Sequence, residues 1–244
     1  MGSFLKFSAA AAVLALSSCF ASADTIQLGS FATGAASMGE ANTAMNYAGY
    51  NSSSATPSSG TGTTFALAPP TLWANPIANS TWVGYAATAG PVGTVNPPLG
   101  YYTFTTSFTS ASAGLYNGSL SILADDTVEV LLNGKLLLPF SALGSDVHCA
   151  DVVPDCLTVD AISFSGVSLL GGADANTFTF VVQQAGFGPV GGVGDPTGVD
   201  FTSVLSSVPE PSSLMLMATG MLGGAAAIFR RRRKAALAEA SSAH

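Results

Sequence analysis

The chain ends in a segment that a water-soluble globule does not accommodate. From Ser212 to Phe229 no residue is charged, and Arg230, Arg231, Arg232, Arg233 and Lys234 follow without a break. Eighteen residues wound as a helix measure about 27 Å, close to the thickness of a bilayer's hydrocarbon core. Bases beside such a span stay on the cytoplasmic side, so the preceding chain lies outside. The expectation is one C-terminal transmembrane helix, with residues 235–244 as a cytoplasmic tail. The remaining bases are only Lys6 and Lys135, while twelve acids lie between Asp24 and Pro209. Such a body has no basic footprint for nucleic acid and no arginine to clamp a phosphate. Nucleic-acid binding and nucleotide chemistry are excluded on that ground.

The other end carries a second address. A short basic start ending at Lys6, an apolar run over Phe7–Leu16 and the small residues Ala21-Ser22-Ala23 precede Asp24. This is the pattern of a secretory signal peptide over 1–23, cut after Ala23. It implies the Sec translocon and signal peptidase as partners. Leu16-Ser17-Ser18-Cys19 admits a second reading, a bacterial lipobox with Cys19 as the lipidated N-terminus.

Pro209-Glu210-Pro211, the Gly-rich apolar span through Gly220, Gly223 and Gly224, and the Arg230–Arg233 cluster form a three-part C-terminal signal over 208–234. The arrangement resembles the PEP-CTERM sorting signal of Gram-negative bacteria. The resemblance implies recognition and removal by a membrane protease-transpeptidase, an exosortase. It further implies an exopolysaccharide-producing cell, a transient inner-membrane stage, and delivery to the cell surface or matrix. The tail after Lys234 is longer than that family usually shows. Physically, the apolar span stops transfer, the bases orient it, and the two prolines keep the motif extended.

The body over 24–207 reads as all-β. Its first part, to about Gly100, is loop-rich, and Asn51–Thr64 is almost wholly small or polar. Strands are expected over Thr25–Phe31, Thr81–Ala86, Tyr102–Phe108, Leu115–Leu123, Thr127–Leu132, Lys135–Leu138, Leu157–Phe164, Asn176–Gln183 and Val199–Leu205. Asn133-Gly134 between two apolar runs marks a tight hairpin, because both turn positions require positive φ. No stretch of the body has a helical period with caps. Strands at this spacing predict an antiparallel β-sandwich or barrel, and roughly 180 residues suffice to bury a sizeable core.

Tyr102–Phe108, Ala124–Gly134, and Asn176–Val182 with Pro196–Val199 are similar to the galactose-binding-domain-like sandwich, a jelly-roll found in carbohydrate-binding modules. The resemblance covers about half of the chain. It carries over no sugar-contacting residue, since those sit on variable loops, and the fold itself carries no function.

Few residues offer chemistry. His148 neighbours Cys149, but a zinc site from His148, Cys149 and Cys156 lacks the paired spacing of structural zinc sites. In an oxidising compartment Cys149 and Cys156 are expected to form a disulfide, worth on the order of 2 kcal/mol for so short a loop. Gly186–Gly191 matches G-x-G-x-x-G, but Pro189 and Pro196 deny it a following helix, so it reads as a Gly-rich loop. Asp125, Asp126 and Glu129 admit three readings: a solvated acidic turn, a structural Ca²⁺ site with backbone carbonyls, or the paired carboxylates of a glycosidase. Asp195 and Asp200 read as turn residues beside Pro196-Thr197-Gly198. Trp73, Trp82, Tyr85, Tyr101 and Tyr102 are either core or a sugar-stacking platform. The expected function is an exported structural or adhesive protein, glycan-binding and without a catalytic residue. The alternatives are an extracellular carbohydrate-active enzyme and a membrane-anchored lipoprotein.

Overall fold

The computed structural model describes residues 24–32, 36–67, 73–143, 156–185, 195–208 and 219–232. Asp24–Val208 forms one compact unit. Its strands are β1 (Thr25–Gly29), β2 (Ala41–Asn51), β3 (Gly62–Ala66), β4 (Val83–Gly84), β5 (Gly100–Phe108), β6 (Gly114–Asp125), β7 (Thr127–Leu132), β8 (Lys135–Leu138), β9 (Asp160–Leu169), β10 (Asn176–Gln184) and β11 (Gly198–Ser207). In the other unit, one helix, α1, covers 219–232.

All strand pairs are antiparallel, along the path β8-β7-β10-β5-β2-β3-β4-β11-β6-β9, with β1 added to β11. The path doubles over. Phe180 of β10 meets Phe201 of β11 at a ring-centroid distance of 4.4 Å, although the two strands lie far apart along the sheet. Two faces thus pack on one core, with Phe104, Phe178, Val130 and Val182 on one side and Leu120, Ile122, Phe201 and Leu205 on the other. This is the antiparallel β-sandwich expected from the sequence.

The alternation of apolar residues explains the strands that were legible. In β5, Tyr102, Phe104 and Phe108 point into the core while Ser107 is exposed. The β7–β8 turn sits at Asn133 (φ 51°) and Gly134 (φ 77°), both in the left-handed region. The Asn133 side chain further ties the turn to β10, accepting from the Thr177 N–H at 2.9 Å.

β9 runs to Leu169, beyond the expected end at Phe164, β4 keeps only Val83–Gly84 of the expected Thr81–Ala86, and two strands arise where none was expected. β2 runs eleven residues through a region read as loop, pairs with both β3 and β5, and buries Asn42, Met45 and Ala48. Its register shifts twice, between Asn42 and Asn46 and between Tyr47 and Gly49. A bulge shifts which face each side chain meets, so a bulged strand shows no period of two. β3 uses Gly62-Thr63-Thr64, the end of the polar stretch, and Thr64 is buried because its Oγ1 donates to the Met45 carbonyl at 2.7 Å.

Because Phe201 joins the two faces through Phe178 and Phe180, Phe201→Ala is expected to cost about 3–5 kcal/mol. Urea unfolding checks it: the midpoint falls with little change in slope. A loss under 1 kcal/mol would mean that the two faces do not share this contact.

Candidate functional site

The chain crosses from one layer to the other where β6 ends and β7 begins, at Asp125 and Asp126. Both are fully buried, which corrects the solvated-turn reading. The Trp73 indole N–H donates to Asp125 Oδ2 at 2.6 Å. Asp126 Oδ2 accepts the Ala185 N–H at 2.6 Å, and its own N–H donates to the Gln183 carbonyl at 3.0 Å. Thr197 Oγ1 donates to the Asp125 carbonyl at 2.9 Å. Asp195 is also buried, its N–H donating to Asn96 Oδ1. Burial pushes the Asp125 carboxyl well above its ordinary value. The neighbouring Asp126 charge adds to the rise, and the Trp73 hydrogen bond works against it.

This corner chooses between the chemical readings of the pair. A glycosidase needs two carboxyl groups flanking a bond of the substrate. Asp125 and Asp126 adjoin in sequence and show no surface, so they are not placed for that. Ca²⁺ takes six to eight oxygens. Among the described residues no group of three or more His, Cys, Asp or Glu side chains is set to hold a metal ion.

The tryptophans are core, not platform. Trp73 and Trp82 stack at 4.2 Å in a small cluster with Leu67, Leu123 and Cys156. Trp82 donates its indole N–H to the Ala74 carbonyl at 3.0 Å, and the Ala74 N–H reaches the Cys156 carbonyl at 2.6 Å. Cys156 is disulfide-bonded. Tyr102 is buried, stacked on Tyr85 at 5.1 Å and beside Tyr50 at 5.0 Å. Tyr101 stays half-buried, edge-on to Phe140 at 5.9 Å, and Tyr50 is exposed. Tyr50 pairs with Tyr102 and Tyr101 with Asn51, so the two rings lie on opposite faces of the sheet; Tyr101 is near the acidic corner through its pairing with Gln183. Tyr50 was missed because it falls in the part of the chain read as loop-rich, and Phe140 because no aromatic residue neighbours it in the sequence.

Asp200 is likewise no turn residue. It lies inside β11, fully buried, and accepts hydrogen bonds from the Ser30 hydroxyl at 2.8 Å and the Ile77 N–H at 2.8 Å. Burial raises its carboxyl, and these donors partly offset the rise. Ser80 completes the group by donating to the Phe201 carbonyl at 2.8 Å. The group underlies a cleft of about 760 Å³ lined by Gln27, Leu28, Phe31, Pro76, Ile77 and Asn79, among others.

The sorting residues fall differently. Arg230, Arg231 and Arg232 are exposed on α1. Pro209, Glu210, Pro211, Arg233 and Lys234 lie outside the described residues, as do Ala21, Ala23, Cys19, His148, Cys149 and Gly186–Gly191. The helix covers fourteen residues, about 21 Å at 1.5 Å per residue, and residues 212–218 of the expected span are outside the description. Among the described residues no helix is long and apolar enough to cross a membrane.

Comparison with known sequences decides the C-terminus: residues 207–234 match the profile of the PEP-CTERM protein-sorting motif. The chain carries a PEP-CTERM sorting motif. The motif implies export, an exosortase as processing partner, and delivery to the cell surface. No curated protein matches the chain. Among solved structures, the Podospora anserina GH26-CBM35 β-(1,4)-mannanase shares 13% identity at a TM-score of 0.34, over 77% of this chain and 29% of that one. The chain thus spans less than a third of that enzyme's length. The family 35 carbohydrate binding module from Clostridium thermocellum shares 13% at 0.30, over 58% and 86%. The CBM35 from Paenibacillus barcinonensis shares 12% at 0.31, over 66% and 96%. Likeness this loose leaves the fold to the strand pairing and any ligand to this chain's own residues.

The raised carboxyls set a pH dependence. A buried acid whose pKa rises on folding contributes stability that is complete below its unfolded value and is lost as pH rises through its folded value. In chelator, the melting temperature is therefore expected to fall as pH climbs above 3.8, the ordinary value for Asp125 and Asp200. Asp125→Asn keeps an acceptor for Trp73, removes one ionisation and flattens the curve; Asp200 keeps part of the slope. Equal slopes in both proteins would show that Asp125 titrates normally. The same scan in excess Ca²⁺ tests the cation reading: superposable curves remove it.

Proposed function

We propose that this chain is an exported structural or adhesive protein, sorted to the surface or matrix of an exopolysaccharide-producing bacterium, with exopolysaccharide as its ligand. The observation that carries the reading is the sorting motif, which begins at Ser207, the last residue of β11. No linker intervenes between sandwich and signal. In this reading signal peptidase cuts after Ala23, and Arg230–Lys234 hold the C-terminus in the cytoplasm. The apolar span anchors the chain in the inner membrane until an exosortase acts at Pro209-Glu210-Pro211. Cys149 closes the disulfide of Cys156 in the oxidising compartment outside.

A non-catalytic role is favoured by the body's poverty in groups that move protons or hold anions. It carries one base, Lys135, and one histidine, His148, and its adjacent carboxylates are buried. Glycan binding is favoured by Tyr50 and Tyr101, which offer aromatic faces at the surface.

Sorting is tested by following the size of the chain, tagged in the exposed 52–60 loop, with and without the exosortase. The tagged protein is expected to shorten only when the exosortase is present, and replacing Pro209, Glu210 and Pro211 by Ala keeps it full-length. A size indifferent to both changes would favour a permanently anchored protein. Binding is tested on a glycan array with a hydrolysis assay beside it. Tyr101→Ala is expected to weaken retention about fivefold, the worth of one aromatic contact of ~1 kcal/mol. Release of new sugar ends would move the protein to the enzyme alternative.

A further inference from the structure

The first and last residues of the sandwich are locked together. Thr25 pairs with Ser206, the Asp24 N–H donates to Ser207 Oγ at 2.8 Å, and the Ser207 N–H donates to the Asp24 carbonyl at 2.9 Å. The Asp24 carboxylate accepts from the Ala111 N–H at 3.0 Å and the Tyr116 hydroxyl at 3.1 Å. The Val208 N–H bonds the Leu115 carbonyl at 2.8 Å. Both ends of the body thus leave from one pole. The acidic corner lies at the other, since Ser207 pairs with Tyr116 while Gly198 pairs with Asp125. Ten residues of extended strand separate them, about 30 Å.

The pole of the termini carries exposed apolar side chains. Leu115 is 53% exposed, Leu170 50% and Val208 41%. They belong together: Leu115 and Val208 share a backbone hydrogen bond, and Leu169 pairs with Gly114. Lys135, the body's one base, opens β8 just after Asn133, whose Nδ2 donates to the Ser168 carbonyl at this pole at 3.3 Å. Of the acids here, Asp24 is hydrogen-bonded and Asp174 is exposed in the 170–175 turn. The chain length fixes what such a surface can meet. From Val208 to Ser212, where the uncharged run starts, four residues reach at most about 14 Å.

We propose that the pole of Asp24 and Val208 is a lipid-docking surface: until the C-terminal segment is cut, Leu115, Leu170 and Val208 sit in the interfacial layer of the inner membrane, and Lys135 meets anionic headgroups. This rests on the reading of the apolar span as an anchor. Apolar side chains enter the headgroup–acyl boundary readily, and bases nearby gain from anionic lipid. The consequence is an orientation: the acidic corner and Tyr101 face away from the bilayer, where an extracellular polymer reaches them before release.

The test uses the full-length chain in phosphatidylcholine–phosphatidylglycerol vesicles with brominated acyl chains, which quench a nearby indole. Trp73 and Trp82 are buried and give a constant background. Leu115→Trp and, independently, Leu170→Trp report the pole; Val92→Trp, exposed in the loop beside the acidic corner, reports the far end; Ile228→Trp on α1 reports the anchor. The expected result is loss of most of the added emission at positions 115, 170 and 228 and none at 92. Quenching at 228 without quenching at 115 and 170 overturns the docking surface while leaving the anchor intact. No quenching at 228 overturns the anchor and, with it, the docking surface that rests on it. Equal quenching at 92 and 115 overturns the orientation. A blue shift at 115 without quenching assigns the pole to a protein contact and overturns the proposal.

Discussion

The antiparallel ladder between β6 and β11 organises the molecule. Ten consecutive residues of β11, Gly198 to Ser207, pair with Asp125 to Tyr116. One flank of β11 receives β4 and β1, and the far flank of β6 receives β9, so this pair sits at the centre of one layer. Its inward side chains, Leu120, Ile122, Phe201 and Leu205, form that layer's half of the core. Its two ends make the two poles. At one, Ser207 meets Asp24 and the sorting motif begins; at the other, β6 turns through Asp125 and Asp126 into the opposite layer.

Polar groups inside this sandwich are spent on joining segments, not on an open site. Asp200 holds Ser30 and the 76–80 loop against β11, and Asp125 holds Trp73. Both carboxyls give up solvent for a few donors, so burial raises both. A buried acid with partial compensation costs stability above its ordinary pKa, and the protein carries that cost where loops without regular structure must be fixed. The loop-rich first part of the body is ordered by these links.

Legibility followed the strength of local pattern. β5, β7 and β10 were readable because β-branched and aromatic residues recur in them, and Asn133-Gly134 announced the turn that leads into the apolar β8. β2 was not, because its bulges break the period and its buried positions are Asn42, Met45 and Ala48. Trp73 and Trp82 had two meanings in sequence. Only their stacking on each other, over Leu123 and Cys156, decides for core. Asp125 and Asp126 looked like a solvated turn because Asp-Asp at a strand end normally is one. The crossover between layers buries them instead.

What the amino-acid order determined alone is what depends on neighbours along the chain. The uncharged run with its five bases, the Pro-Glu-Pro ahead of it and the period of the main strands are local signals, and export and an all-β body follow from them. What only the tertiary structure decided depends on residues distant in sequence. Asp24 closes on Ser207 across 183 positions, and Asp125 finds Trp73 across 52. Such contacts set burial, and burial sets the protonation of a carboxyl, the role of an aromatic ring and the pole from which both ends of the chain depart.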